Sequence, residues 1–314
     1  MAKKMINASH VEGYVYEHRL EKRVAGPTSK NPGTQYINGI LRVATDDDML
    51  NVVDIHFTYV TETTSKVSPN ATYTVLSAIA DGKIGSVMEH GKDYAGKVRV
   101  DSAIGLNEWY DNRTGEDTLV SVKRNEGGFV HLTQELNDEK MRATFDTDML
   151  ITGVTRVEED PDRELPERAT LKGCIFNFRN DILPVEFTVV NPKAIDYFEG
   201  LNVSNKSPIL TRVRGNQVSK TIVREIEEES AFGEPAVRTV RSSQRDFVIN
   251  WALPEPYGWD TEESILASEL SEAISNREVY LADMKRRNQE YRESRNNASA
   301  AASSTTASSS GYDF

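Results

Sequence analysis

At 314 residues with a formal net charge of −12, the chain is long enough for two domains of about 120 residues and a tail. Its acidity is unlike that of the usual duplex-DNA binder. A single cysteine, Cys174, excludes an internal disulfide and fits a reducing cytoplasm. No apolar run approaches the roughly 18 residues of a membrane span, and Met1-Ala2-Lys3-Lys4 leads into no signal-peptide core, so a cytoplasmic protein without membrane partners is expected.

In chain order, period-two alternation predicts strands over 11–19, 36–45, 51–61, 96–104 and 118–132, with a helix from Thr72 to Ala80 between the third and fourth. Asp46-Asp47-Asp48 falls where a hairpin turn is needed. Val53, Ile55, Phe57 and Tyr59 share one strand face, and Asp54, His56 and Thr58 share the other. A second set follows: strands over 149–157, 169–179, 183–190, 208–214 and 236–251, with a helix from Pro192 to Glu199 in the corresponding slot. After Trp259 the period changes to about 3.6. Asp260 with Glu263 makes an approximate capping box, and Leu266, Leu270, Ala273, Ile274, Leu281 and Met284 line one stripe. Beyond Arg295 the chain turns to Asn, Ala, Ser and Thr, a composition that buries no core.

The two sets match motif by motif. Val11-Glu12-Gly13-Tyr14-Val15 answers to Ile151-Thr152-Gly153-Val154-Thr155, and Gly39-Ile40-Leu41 to Gly173-Cys174-Ile175. Phe57 answers to Phe187, Lys123 to Arg241, and Phe129 to Phe247. The chain therefore reads as two diverged copies of one small β-domain. Five strands with a helix between the third and fourth is the order of an OB-fold, a Greek-key barrel that binds oligonucleotides or oligosaccharides. The expected architecture is mainly β: a first OB-fold over 1–140, a second over 141–259, an amphipathic helix over 260–295, and a disordered linker with a docking tip over 296–314.

Enzyme chemistry finds little support. There is no phosphate-binding loop, dinucleotide fingerprint, HExxH or paired-cysteine spacing. The five histidines are scattered, and no carboxylate pair suggests acid–base work. No catalytic residue, metal or cofactor is expected. Single-strand binding instead needs cations for phosphates and aromatic faces for bases. Trp109, Tyr110 and Arg113 sit in the polar connection between the fourth and fifth strands, a loop that closes over ligands in OB-folds. Arg42, Arg99 and Lys123 are expected to project outward from the first copy, Lys97 is a further candidate, and Phe176, Arg212, Arg214 and Arg241 fall at or near matching positions in the second. His56 points outward beside Asp54. Phe57, Phe129, Phe187 and Phe247 are assigned to the cores.

The run Gly96-Lys97-Val98-Arg99-Val100, then Trp109-Tyr110, then Thr118-Leu119-Val120-Ser121-Val122, then Gly128-Phe129-Val130 resembles the latter half of an OB-fold from single-stranded DNA-binding proteins, particularly those of tailed bacteriophages. The two-copy layout and the low-complexity linker ending in Gly311-Tyr312-Asp313-Phe314 are similar to that family as well. The resemblance implies sequence-nonspecific binding of single-stranded DNA in replication, recombination or repair. It also implies docking of Tyr312, Asp313 and Phe314 on replication or recombination proteins (helicase, polymerase, primase or recombinase), with Phe314 in a hydrophobic pocket and its carboxylate and Asp313 meeting basic residues. Family tails carry several acidic residues before the tip, whereas Asp313 stands alone. The rival expectations are a virion structural or assembly protein, a recombination mediator or strand-annealing protein, and a carbohydrate-binding tandem barrel.

Overall fold

The computed structural model describes residues 3–113, 116–160, 166–228, 236–259, 261–262 and 264–306, with the side chains of 221–228, 236–243 and 296–306 left out. The strands are β1 (Asn7–Val24), β2 (Gln35–Ala44), β3 (Val52–Thr61), β4 (Lys97–Asp111) and β5 (Thr118–Leu132), then β6 (Ala143–Val157), β7 (Arg168–Phe176), β8 (Ile182–Val189), β9 (Ile209–Glu228) and β10 (Ala236–Ala252). Helices α1 (Ala71–Ala80) and α2 (Val87–His90) follow β3, α3 (Pro192–Gly200) follows β8, and α4 (Ala267–Thr306) closes the described chain.

All ten strands belong to one sheet, ordered β2-β3-β5-β4-β1-β6-β7-β8-β10-β9, with further pairings β2–β1 and β6–β9. Those two pairings close the sheet into two five-stranded circuits joined along β1 and β6. Each circuit holds one parallel contact in the same place, β3 with β5 and β8 with β10. Each also carries its helix after the third strand, started the same way. Asn70 caps α1 by accepting from the Thr72 N–H, and Asn191 caps α3 by accepting from the Lys193 N–H.

Burial follows the alternation. Val11, Val15, Leu41, Val53, Ile55, Phe57, Val98 and Val100 fill the first core, against which α1 sets Tyr73, Leu76 and Ile79. In the second circuit Phe145, Phe187 and Phe247 pack with ring centroids 5.1 to 5.7 Å apart. The face expected to hold Tyr59 inside runs out of the barrel at its end, where Tyr59 is exposed and stacks on Tyr36 instead.

The ladders correct the residue register of the duplication. The bulge in β1 falls at Tyr16 and that in β6 at Thr152. Aligned on these bulges, Leu41 corresponds to Leu171, Ile55 to Phe187, and Lys123 to Arg245, not Arg241. The sequence matches are displaced by two or four residues. An even slip preserves the alternation within a regular stretch of strand, so the matches record a shared pattern and not equivalent positions.

Several boundaries differ from expectation. β6 begins at Ala143, β4 runs to Asp111 and β9 to Glu228, because polar segments such as Asn216–Lys220 extend a ladder whose partner strand is already in place. The helix begins at Ala267 and continues to Thr306, past the expected start of the linker. Asp260 and Glu263 lie outside the described residues, as do Tyr312, Asp313 and Phe314.

The chain divides into two compact units, one of Met1–Gly105 with Lys123–Leu266 and the other of Leu106–Val122 with Ala267–Phe314. The first contains both circuits. In the second, α4 lies on the tip of the β4–β5 hairpin: Arg277 forks onto Glu108, Asn288 donates to the Tyr110 carbonyl, and Arg292 pairs with Asp117. Leu270, Ala273, Leu281 and Met284 lie on that covered stripe, whereas Leu266 and Ile274 are exposed.

Candidate nucleic-acid interface

Where β2 and β3 of the first circuit approach the β9–β10 ladder, a cleft of about 210 Å³ is lined by Tyr16, Arg42, Met49, Leu50, Val52, Ser219, Lys220 and Arg245. The bulge at Tyr16 belongs to its wall. Asn51 fixes the approach, donating to the Gln217 carbonyl at 3.1 Å and accepting from the Ser219 N–H at 2.6 Å. Arg42 donates to Asp54 at 3.0 Å and to Glu17 at 2.8 Å, and these partners hold its guanidinium pKa above the usual value, the Glu17 hydrogen bond first. Arg245 lies 3.7 Å from Asp54 and is largely exposed. The cleft thus combines three cations, an aromatic ring and exposed apolar carbons, the two ingredients a phosphate–base polymer requires.

The other expected cations are also held by acceptors. Arg212 makes two bonds of 2.6 Å to Asp146, and Arg214 bonds the same carboxylate at 2.9 Å while stacking 4.5 Å over Trp251. Arg113 pairs with Asp111, Arg99 lies 3.8 Å from Asp101, and Lys97 donates to the Gln134 carbonyl. A chain of net negative charge exposes cations mainly inside such pairs. The exposed ones among these pairs contribute only about 0–1 kcal/mol.

Five expected site residues are placed differently. Phe176 is fully buried and has no face to offer a base; it follows Cys174 and Ile175, both also buried, where β7 runs between β6 and β8. Lys123 lies over the Phe187 and Phe247 rings, with its ammonium on the Glu186 carbonyl, and burial lowers its pKa. Burial, reinforced by Arg124, lowers the pKa of His56 as well. Trp109 and Tyr110 lie within β4, not in a loop. Alternation puts Tyr110 on the side of Glu108 and α4, with Lys285 6.0 Å from its ring, and leaves Trp109 on the other side, 40 % exposed. The Arg241 backbone pairs with Val223, and its side chain lies outside the described residues.

One aromatic was misassigned. Phe129, expected in the core, is 69 % exposed. Gly127 and Gly128 both take positive φ, at 63° and 108°. A Cβ on Gly128 would stand 2.3 Å from the Asp101 carbonyl oxygen. The irregularity shifts β5 by one position, so that Val130 enters the core and Phe129 turns outward. The glycine pair in a strand was the readable signal. Lys220 and Arg245 had none, because only the ladders bring them to Arg42.

The family model described as YorF matches residues 6–286, and the chain belongs to that family. No curated protein matches it. Among solved structures, a deletion mutant of the single-stranded DNA binding protein from Thermus aquaticus is 10 % identical, covers 83 % of this chain and 99 % of its own, and superposes with a TM-score of 0.44. Among the described residues no helix is long and apolar enough to cross a membrane.

Proposed function

We propose that the chain binds single-stranded DNA without sequence preference, using two tandem OB-fold barrels, over 1–140 and 141–259, as one continuous support. The observation that carries this reading is the twofold circuit: two closed five-strand barrels of identical strand order, fused edge to edge through β1 and β6. A strand laid along them meets the cleft of Tyr16, Arg42, Lys220 and Arg245 at the place where the copies meet. Phe129 and Trp251 supply exposed rings for stacking, worth about 1–3 kcal/mol per base. Coating of this kind protects the strand and melts hairpins during replication or recombination. On sequence grounds, Tyr312, Asp313 and Phe314 would bring the coated strand to replication proteins.

The test is a titration with oligo-dT at low salt, followed by tryptophan emission and mobility shift. Binding with quenching, weakening as salt rises, is the expected result. The absence of both quench and shift would overturn the reading.

A further inference from the structure

The turn between β7 and β8 carries a feature that the cleft does not use. Phe178 is 68 % exposed at its tip, and a large apolar side chain is held in water there by a well-made turn. Asn177 Oδ1 accepts from the Arg179 N–H at 2.8 Å and the Asp181 N–H at 3.0 Å. Asn180 takes the left-handed conformation at φ 64°, which asparagine tolerates. The Asn180 side chain then ties the turn to the N-terminal segment, donating to the Lys3 carbonyl at 3.0 Å and accepting from the Met5 N–H at 3.2 Å. That tie brings Lys4 to 5.9 Å from the Phe178 ring, and Arg179 stands 5.0 Å from it. Asp181 is turned back into the turn, accepting from Asn177 Nδ2 at 2.9 Å. In a chain of net charge −12, an exposed ring set between cations is matched to an anionic polymer with flat faces, not to an apolar protein surface.

We infer that Phe178, with Lys4 and Arg179, is a second stacking site for a nucleobase of the same single strand, outside the barrel cleft, with the two cations on the flanking phosphates. This rests on the single-strand reading above and extends its footprint to the β7–β8 end of the second circuit. The ring is fixed before binding, so stacking needs little further ordering of the protein.

The experiment compares wild type, Phe178→Ala and Phe178→Trp by anisotropy with labelled oligo-dT of about 8 nucleotides, within the site size of one barrel, and about 30 nucleotides. Phe178→Ala should weaken the long strand by at least about fivefold and leave the short one unchanged. Phe178→Trp should keep the affinity and gain a tryptophan that the long strand quenches. Because the side chain is exposed, both variants should melt as wild type does. If wild type binds and Phe178→Ala equals it at both lengths, the second site is wrong and the cleft reading stands. If Phe178→Ala alters sedimentation but not DNA binding, the knob contacts protein and the inference falls. If wild type binds neither length, the single-strand reading itself fails, and this inference with it.

Discussion

Gln217 Nε2 donates to Ser9 Oγ at 2.8 Å and thereby ties β9 of the second circuit to β1 of the first. Ser9 Oγ donates in turn to Asn125 Oδ1 at 2.6 Å, and Asn125 Nδ2 donates to Gln217 Oε1 at 2.7 Å. All three residues are buried, and they form a closed triangle in which each polar group between the copies finds a partner. Such a network sets one geometry between two apolar cores, because any slip would strand several donors at once. Gln217→Leu keeps the volume and breaks two sides of the triangle, so a loss of about 1–3 kcal/mol is expected. Urea midpoints measure it. The triple change Ser9→Ala, Asn125→Leu, Gln217→Leu should cost less than the three single changes together. An unchanged midpoint in Gln217→Leu would show that the triangle does not hold the copies.

The fork between Arg277 and Glu108 calls for a different measurement. Their side chains are 11 % and 4 % exposed, and the guanidinium meets both carboxylate oxygens. Removing one partner of a buried pair leaves a desolvated charge, a loss of about 3–5 kcal/mol. Glu108→Ala should therefore free α4 from the β4–β5 tip. Hydrogen exchange should rise along 267–292 and 106–117 while β1, β2 and β6 keep their protection. Equal exchange in both proteins would mean that Asn288 and Arg292 suffice.

Cations in the cleft should appear in the salt dependence. Lys220→Glu and Arg245→Glu each remove one phosphate contact, so affinity for oligo-dT should fall and the slope of log K against log salt should flatten by about 0.7 per contact. Arg42→Ala should weaken binding further than a lost contact explains, since Glu17 and Asp54 are then left facing the strand. Slopes equal to wild type would place the strand elsewhere.

The mainly β character and the order of strands and helices were legible because strands that bury one face must alternate, and a repeated order of strands and a helix survives divergence of individual residues. Residue register was less legible. Gly13 with Gly153 and Phe57 with Phe187 match in pattern, while the bulges at Tyr16 and Thr152 set other partners. Phe129 shows the same limit locally, since alternation counted from the buried Asn125 puts it inside and a left-handed glycine pair puts it outside. Lys123 looked like an outward cation until the second circuit closed over it. The cleft was illegible for a plainer reason: Arg42 and Arg245 are 203 positions apart and meet only through the ladders.

Buried Cys174 gives a probe of opening. Burial pushes its thiol up to about 12, and the thiolate is the species that reacts. At pH 8 an alkylating reagent should leave the native protein unlabelled and label it fully in denaturant. Rapid labelling without denaturant would mean that β7 opens readily.

His56 supplies the pH prediction. Burial is the main cause that lowers its pKa, with Arg124 adding to it and Asp54 and Glu126 opposing. The unfolded chain takes up the proton near about 6.5, whereas the folded chain takes it up at lower pH. In between, the unfolded state holds more protons, so stability falls as the solution is acidified. The contribution is complete above the unfolded value and is lost as pH drops through the folded one. His56→Gln should flatten that acid limb, as measured by urea midpoints at steps below pH 7. At pH 7.5 the imidazole is neutral, so the same variant should bind oligo-dT with an unaltered salt slope. A reduced slope would mean that His56 is charged against phosphate, and that DNA raises a pKa which the free protein holds down.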